Sequence, residues 1–522
     1  MIILGISDSR EPGAALVAQD TLIAAAAEAP LRRARCPHQL PTAAIDAVLE
    51  IGGFRARDVS RVVMAGMFTP GPLSRFGIRS PGPTSRRLRR DATLRETGLH
   101  MIVQEACAQT LSARLGRIGL GDRRVHFIEH DRCHAYAAYR GQPRDRVLVV
   151  AVDDGGDGAA LSVNLGHHAQ LERLYFQSAH AAIASFSARV STLLGQPGRP
   201  LDRFDRDERG PDLSAELRAE GAGFNLAPRP VEPDPLARVP PLALAAGAQD
   251  TLERAVIEVL RYHLHAHTCR DLAVAGELFR NSRLCARIAE MSELDSLFVF
   301  PEPGDAGLAV GAALGFAGVG ARRMSDPCLG PRWTDEACYR ALSNASLPRQ
   351  RVDDPEAEVA RLIHQGLSVA RFAGPLELSQ HGLGNRSVLS SPDRPGPGGI
   401  AKNGAATLAE HAEGYLHLAR CADAARFQTL ALPVTASFAA AYAGVLRPDG
   451  RVEVQLVKES DDPTFHRLLR LWRARSGHAT LRVTTLTDSA GLVAASPMDT
   501  IQCWRAGDSD ALLLGPYLVR RE

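Results

Sequence analysis

The run Val147-Leu148-Val149-Val150-Ala151-Val152-Asp153-Asp154-Gly155-Gly156-Asp157-Gly158 decides the fold class of this chain. An apolar run that ends in a turn of aspartates and glycines is typical of a central strand covered on both faces. Two similar runs follow at Leu272 to Ala275 and at Leu297 to Phe300, and a helical pattern from Gln249 to Leu264 precedes them. Strands that alternate with helices in this way predict an α/β architecture.

The N-terminal residues predict a second group of strands. Ile2 to Ile6 is a buried strand by its apolar run, and Ala14 to Val17 and Thr21 to Ala27 continue it as an antiparallel meander. A helix is predicted from Pro41 to Leu49, because proline suits a first turn and the apolar residues recur three and four apart. Arg61 to Ala65 is predicted to be a further strand.

Composition limits the class of protein. The chain has 522 residues, which favours two to four folding units, and its 45% hydrophobic and 23% charged residues are typical of a globular enzyme. A net charge of +2 gives no reason to expect a nucleic-acid partner. Nine cysteines without a C-x-x-C pair predict reduced thiols. The start of the chain lacks a signal-peptide pattern, and no run approaches the roughly 20 apolar residues of a membrane span. We therefore expect a cytoplasmic protein without a membrane partner.

The distribution of proline and glycine predicts two domains. Pro327, Gly330, Pro331 and Pro348 punctuate a linker. A first domain is expected at residues 1–335 and a second at residues 350–522. Within the first, residues of about 195–241 are rich in Arg, Asp, Pro and Gly and are predicted to form an insertion or a mobile loop.

Four residues are candidate metal ligands. His130 and His134 form an H-x3-H pair after the predicted strand Val125 to Ile128, and residues four apart share one face of a helix. Asp153 and Asp305 follow the carboxyl ends of predicted strands, where ligands collect in open α/β sheets. Two imidazoles and two carboxylates suit a borderline or hard divalent cation with open positions for a ligand.

The same residues have simpler interpretations. An isolated H-x3-H pair is more often a pair of surface or capping histidines, and an aspartate after a strand is often a turn former. Glycine-rich turns beside both aspartates favour the functional interpretation, because such turns let the backbone approach a phosphate. From spacing alone the sequence indicates a possible metal and nucleotide site, and the alternatives stay open.

Seven collinear segments span nearly the whole chain and carry recognisable motifs. They are, in order, Glu129 to Ala135 (H-H-x-x-H-A), Asp153 to Asp157 (D-G-x-G-E), Gly276 to Asn281 (G-G-x-x-x-N), Pro303 to Ala313 (P-G-D-x-G-x-A-x-G-A-A), Leu329 to Pro331 (L-G-P), Gly374 to Leu389, and Gly507 to Leu518. Together these segments resemble the motifs of the NodU/CmcH-type O-carbamoyltransferase family.

This resemblance implies a TsaD-like domain of the actin/hexokinase-type (ASKHA) fold, followed by a YrdC-like α/β domain. The second domain of the family makes carbamoyl adenylate from carbamoyl phosphate and ATP. The first holds that intermediate near a divalent metal, usually Fe(II), and passes the carbamoyl group to the hydroxyl of a small molecule such as a sugar or natural product.

The resemblance also assigns roles to residues. The metal ligands would be His130, His134, Asp153 and Asp305. The cofactor-binding residues would be Gly155, Gly156, Gly276, Asn281 and Gly304. The catalytic cations of the second domain would be Lys402, Arg386 and Arg451.

Several positions depart from the family pattern. Arg10-Glu11 stands where the family has H-D, and Glu277 replaces the second glycine of G-G. In the second domain Ser379-Gln380-His381 replaces G-P-R. Two phosphate-bearing substrates require several converging cations. Only Arg386 clearly matches a cation of the family. Arg451 would have to substitute for the family's own cation, and Lys402 can equally be a solvated loop lysine.

Two functions remain from the sequence. The first is an O-carbamoyltransferase that forms carbamoyl adenylate itself. The alternative is a diverged, non-catalytic or half-catalytic partner of an active carbamoyltransferase. For the assembly of the protein we expect a homodimer or a heteromer with a carbamoyltransferase paralogue. A metal-dependent hydrolase on the same scaffold is weaker, because no general base is evident. Converging cations in the second domain would favour the enzyme.

Overall fold

A computed structural model describes residues 1–68, 70–71, 84–153, 155–179, 183–196, 201–204, 210–226, 234–318, 324, 326–393, 403–416 and 422–521. The chain forms two compact units. The first comprises Met1–Ala27 and Cys36–Met324, and the second comprises Glu28–Arg35 and Ser325–Glu522. Among the described helices, none combines the length and apolar character needed to cross a bilayer.

The first unit contains two five-stranded sheets with the same topology. The strands of one sheet are β1 (Ile2–Ser7), β2 (Gly13–Ala18), β3 (Thr21–Ala27), β4 (Arg61–Ala65) and β5 (Val125–Ile128), in the order β3-β2-β1-β4-β5. The strands of the other are β6 (Val147–Val152), β7 (Ala159–His167), β8 (Gln170–Ser178), β11 (Asp271–Ala275) and β12 (Ser296–Val299), in the order β12-β11-β6-β7-β8.

Each sheet begins with an antiparallel meander of three strands, and two strands then continue parallel to the first. This duplicated arrangement is that of the actin/hexokinase-type fold, so the predicted fold class of the first domain is confirmed. The predicted meander at the N-terminus is confirmed as β1 to β3. Within the region predicted as an insertion or loop, Leu217–Glu220 (β9) and Gly223–Leu226 (β10) form an antiparallel hairpin.

Helix α1 (Glu28–Arg32) belongs to the second unit. The helices of the first unit are α2 (Thr42–Gly52), α3 (Thr84–Glu96), α4 (His100–Gly116), α5 (His130–Gly141), α6 (Ile183–Leu193), α7 (Pro241–Ala266), α8 (Ser282–Ala289) and α9 (Leu308–Ala317). Helix α9 packs on β1 and on α5, and α5 packs on β6. Glycines permit these approaches, because a Cβ on Gly311 would lie 1.8 Å from the Cys133 carbonyl oxygen and one on Gly5 would lie 2.2 Å from that of Ala309.

The second unit is built on one nine-stranded mixed sheet. Its strands are β13 (Gln350–Arg351), β14 (Val369–Phe372), β15 (Arg386–Ser390), β16 (Asn403–Leu408), β17 (Ala431–Pro433), β18 (Arg451–Val457), β19 (Thr480–Thr485), β20 (Ala511–Leu514) and β21 (Tyr517–Arg520), in the order β13-β21-β20-β14-β15-β19-β16-β18-β17. Besides α1, its helices are α10 (Asp335–Asn344), α11 (Pro355–His364), α12 (Ala436–Ala441), α13 (Pro463–Ser476) and α14 (Pro497–Ala506).

Helices cover both faces of this sheet. One apolar core joins α11 and α13 to the sheet, with Phe465 and Trp472 at its centre. The other joins α10 and α14 to the opposite face, with Phe372 and Trp504 buried in it. Alternate residues of β14, β15, β20 and β21 therefore enter two separate cores, as expected of strands buried on both faces.

Candidate metal centre

The two histidines begin one helix. Helix α5 starts at His130, two residues after β5 ends, and His134 lies one turn later on the same face. Their ring centroids are 5.0 Å apart, and both side chains are buried. The H-x3-H pair is therefore not a surface pair, which was one of the simpler interpretations of the sequence.

Two carboxylates meet the histidines from other segments. Asp153 follows the end of β6 and Asp305 lies just before α9. His130 Nε2 is 3.1 Å from an Asp153 oxygen and 3.3 Å from an Asp305 oxygen, while His134 Nε2 is 3.6 Å and 3.9 Å from the same two carboxyl groups. One ligand atom from each of the four residues lies within 4.8 Å of the others. The structure thus brings together the four residues that the sequence pointed to.

Charge and burial oppose each other in this cluster. Burial lowers the pKa of His130, but Asp305 and Asp153 outweigh it and raise that pKa well above the usual value. Burial raises the pKa of Asp153, but the two histidines hold it well below its ordinary range. The Nε2 atoms of His130 and His134 are buried without a hydrogen-bond partner among the described residues. Buried imidazole nitrogens that face two carboxylates without a directed hydrogen bond are suited to a bound cation.

Asp157 holds the start of the histidine helix. Its fully buried carboxylate accepts three backbone N–H groups, from Met67 at 2.7 Å, Phe68 at 3.1 Å and His130 at 2.9 Å. The residue before α5, Glu129, makes no side-chain cap. Asp157 therefore supplies from another loop the carboxylate that usually caps a helix N-terminus.

Gly156 lies against the imidazole ring of His130. A Cβ at this position would be 2.4 Å from Cγ of that ring, which is closer than any real contact. Gly155 beside it has a φ of 97°, in the left-handed region that glycine adopts freely. The glycine-rich turn that the sequence assigned to a cofactor thus also gives room for the first histidine.

A network of ion pairs surrounds the N-terminus of α5. Arg95 pairs with Glu129 at 3.1 Å, and Arg173 pairs with Asp131 at 2.8 Å and also with Glu129. The Arg95 guanidinium also lies 4.2 Å from the ring centroid of Phe176. The sequence did not predict this network, because Arg95 and Arg173 lie more than 30 residues from their partners along the chain.

Two further predicted cofactor residues have contacts within the protein. A Cβ on Gly276, whose φ is 107°, would lie 2.2 Å from the Val152 carbonyl oxygen, so this glycine lets β11 end against β6. Asn281 caps α8, because its side-chain oxygen accepts the N–H of Leu284 at 2.9 Å, and its amide donates to Gln249 at 2.9 Å. The third, Gly304, lies beneath a guanidinium that is described below.

The structure does not bring together Arg386 and Arg451, the two predicted catalytic cations that it describes. Arg386 on β15 is buried over the Phe372 ring at 3.7 Å and donates to the Ala373 carbonyl at 2.5 Å. Burial lowers the pKa of its guanidinium to about 10, against the opposing charge of Glu377. Arg451 is on β18. Two strands lie between β15 and β18, a lateral distance of about 14 Å at the usual strand spacing. Lys402 lies outside the described residues.

The second unit contains a cavity of about 710 Å³ that the sequence did not predict. Neither Arg386 nor Arg451 lines it. Its charged lining residues are Arg332, Arg371, Arg426, Asp326, Asp335, Glu356, Asp461 and Asp462. The arginines that line this cavity therefore differ from the two described arginines that the resemblance assigns to catalysis.

Comparison with known proteins agrees with the motifs. Residues 360–521 match the model "Carbamoyltransferase C-terminus" and residues 232–314 match "Carbamoyltransferase N-terminus". The chain is 24% identical to the nodulation protein NolNO of Sinorhizobium fredii, over 98% of this chain and 79% of that protein. It is 21% identical to the protein MJ1051 of Methanocaldococcus jannaschii, over the full length of both.

Solved structures with partial similarity cover 60% of this chain. Full-length HypF in its phosphate- and nucleotide-bound form gives a TM-score of 0.37 at 10% identity and is covered over 55% of its length. A ROK hexokinase from Thermus thermophilus gives a TM-score of 0.33 at 14% identity and is covered over 97% of its length.

Proposed function

We propose that the chain is an O-carbamoyltransferase that transfers a carbamoyl group to a hydroxyl of a small molecule, because it matches both carbamoyltransferase family models and is 24% identical to NolNO over 98% of its length. The carbamoyl donor would be carbamoyl phosphate, activated by ATP as carbamoyl adenylate. The observation that carries the proposal is the convergence of His130, His134, Asp153 and Asp305 in one buried cluster.

The donor set of this cluster fits a divalent metal. Two buried imidazole nitrogens without hydrogen-bond partners among the described residues face two carboxylates. A mixed nitrogen and oxygen set of this kind suits Fe(II) and similar first-row cations. When bound, such a cation would offset the charge of the adenylate phosphate and polarise the carbamoyl carbonyl.

Residues of the chain orient the two carboxylates. The backbone N–H of Arg10 donates to Asp305 Oδ2 at 3.1 Å, and the N–H of Glu277 donates to Asp153 Oδ1 at 3.2 Å. The other oxygen of each carboxylate then lies nearer His130, at 3.3 Å for Asp305 Oδ1 and 3.1 Å for Asp153 Oδ2. Asp305 is thus anchored through Oδ2 and presents Oδ1 to both histidines, whereas the anchored Oδ1 of Asp153 also faces His134 at 3.6 Å. These bonds fix the direction of each carboxylate before any ligand arrives.

The second candidate function is a half-catalytic partner that receives carbamoyl adenylate from a paralogue. It is favoured by the separation of Arg386 and Arg451 and by the use of the Arg386 guanidinium in internal hydrogen bonds. Two phosphate-bearing substrates need cations that face them, and these two do not share a pocket.

Pyrophosphate release separates the two functions. The full chain with Fe(II), ATP and carbamoyl phosphate is expected to release pyrophosphate, and Lys402→Ala is expected to abolish that release. Lys458→Ala is the matched control, because Lys402 and Lys458 are the two lysines of the chain. No release from a chain that binds metal would refute a self-sufficient enzyme and favour the partner.

A further inference from the structure

Arg280 is surrounded by three carboxylates beside the candidate metal centre. Its Nη1 donates to Glu11 at 3.1 Å and its Nη2 donates to Glu302 at 2.6 Å, while Nε is 3.3 Å from a Glu277 oxygen. A second bond joins Nη2 to Glu11. The side chain is 21% exposed, so most of this charge lies away from water. A guanidinium matches such a site because its donors form a rigid planar fork.

Two of these carboxylates lie next to the anchors of the ligand aspartates. Glu11 follows Arg10, whose backbone N–H holds Asp305. The backbone N–H of Glu277 itself holds Asp153. By pairing with both side chains, Arg280 ties together the two loops that set the directions of the ligand carboxylates.

The third contact reaches the loop of Asp305 directly. Glu302, which is 7% exposed, lies three residues before Asp305. The guanidinium also lies across Gly304, where a Cβ would be 2.4 Å from Nη2. Any side chain at position 304 would displace Arg280, so this glycine is required by the guanidinium above it.

We propose that Arg280 is a positioning residue that fixes Asp153 and Asp305 for the metal, an inference that rests on the metal centre of the proposed function. Without the guanidinium, Glu11, Glu277 and Glu302 would repel one another and the two ligand aspartates nearby. The loops that carry them would then separate. The same contact explains how the chain tolerates a glutamate at position 277, where the resembling family has glycine.

Binding of Co(II) by the full chain tests this role without requiring catalysis. Visible absorption during a Co(II) titration reports both affinity and the geometry of the ligands. We expect Arg280→Met to weaken Co(II) binding by about tenfold or more and to alter the absorption band, as losses around metal ligands usually do. Arg280→Lys should recover part of the affinity, because it keeps the charge without the planar fork.

Arg283 provides a matched control for the loss of a buried arginine. It lies on α8, is 18% exposed, and pairs with Glu253 at 2.6 Å and Asp250 at 3.1 Å. Arg283→Met should leave the Co(II) affinity and spectrum as in the unaltered chain. Equal losses in Arg280→Met and Arg283→Met would overturn the proposal, because they would show only a general effect of destabilisation.

A double-mutant comparison isolates the contact itself. If Arg280 acts through Glu11, then Glu11→Gln combined with Arg280→Met should weaken Co(II) binding by less than the product of the two single effects. Additive effects would count against a positioning role of Arg280 through Glu11.

If Arg280→Met does not fold, the variants Arg280→Lys and Glu11→Gln carry the test. Unchanged Co(II) affinity in both of these variants would overturn the proposal. An unaltered chain that binds no Co(II) would instead refute the metal centre, and with it the positioning role of Arg280.

Discussion

The carboxylate of Asp157 accepts the backbone N–H of His130, with 2.9 Å between Oδ2 and the amide nitrogen. That amide opens the helix that carries both candidate histidine ligands, so the bond sets the position of the helix from a loop 27 residues further along the chain. Asp157 has a φ of 51°, a left-handed conformation that is unfavourable for residues other than glycine. Such a conformation persists where surrounding contacts hold it, commonly at functional sites.

Replacing Asp157 by alanine should both destabilise the first unit and weaken metal binding. Three buried N–H groups would lose their acceptor, and we expect a loss on the order of 3 kcal/mol in the free energy of unfolding. Asp157→Asn keeps one carbonyl oxygen and should lose less. Urea unfolding followed by far-ultraviolet circular dichroism and a Co(II) titration measure the two effects.

The control for this change is Asp145→Ala, because Asp145 also accepts a backbone N–H, from His168 at 3.2 Å, but on an exposed turn. It should alter stability by less than about 1 kcal/mol. A similar loss in both variants would show that capping by Asp157 has no special role.

Gly156→Ala should weaken metal binding more than it affects folding. The added methyl group would lie 2.4 Å from Cγ of His130, so the imidazole must turn away from Asp153 and Asp305. The expected result is a loss of Co(II) affinity of about tenfold or more with the secondary structure retained. Gly414→Ala adds the same group where nothing lies within 4 Å and should change neither property. Retained Co(II) affinity in Gly156→Ala would contradict the close contact.

The sequence predicted most of the first unit, because its signals are local. The apolar run Val147–Val152 became β6, and Asp153 follows it as a strand-end aspartate should. His130 and His134 share a face because both lie on one helix, which periodicity predicts without knowledge of the fold. These elements needed no information from distant parts of the chain.

The supporting contacts could not be predicted because they join distant segments. Arg280 and Glu11 are 269 residues apart, and nothing local to either indicates the other. The one available signal was that two departures from the family pattern, Glu11 and Glu277, are both acidic and so imply a shared cation. The resemblance also gave Arg386 a catalytic role, whereas its position in β15 commits the guanidinium to nearby backbone carbonyls.

Arg386→Met should destabilise the second unit by more than Arg451→Ala does. Removing this buried cation leaves the groups around it, including the carboxyl of Glu377, without its charge. We therefore expect a loss of roughly 3 kcal/mol in the free energy of unfolding. Arg451 is half-buried and donates to the Ala431 carbonyl at 3.2 Å, and we expect its replacement to cost about 1 kcal/mol.

Tryptophan fluorescence measures this difference in the second unit. The three tryptophans of the chain, Trp333, Trp472 and Trp504, all belong to that unit, so their emission during urea unfolding reports it selectively. Equal midpoints for Arg386→Met and the unaltered chain would contradict the structural role of the Arg386 guanidinium.

Metal binding should stabilise the first unit through the buried cluster and not through the exposed one. Asp145, His167 and His168 also place ligand atoms within 4.8 Å of one another, but all three are exposed. Exposed side chains must be ordered when a metal binds, and this loss of conformational entropy opposes binding. Burial has already ordered His130, His134 and Asp153.

The chain is therefore expected to bind one equivalent of Co(II) tightly. At a hundredfold excess of Co(II) over the dissociation constant, binding should add about 2.7 kcal/mol to the free energy of unfolding. His134→Ala should remove both the tight equivalent and the rise in melting temperature on addition of metal, whereas His168→Ala should keep both. Loss of the tight equivalent in His168→Ala would move the metal site to the surface and leave the buried cluster without its proposed role.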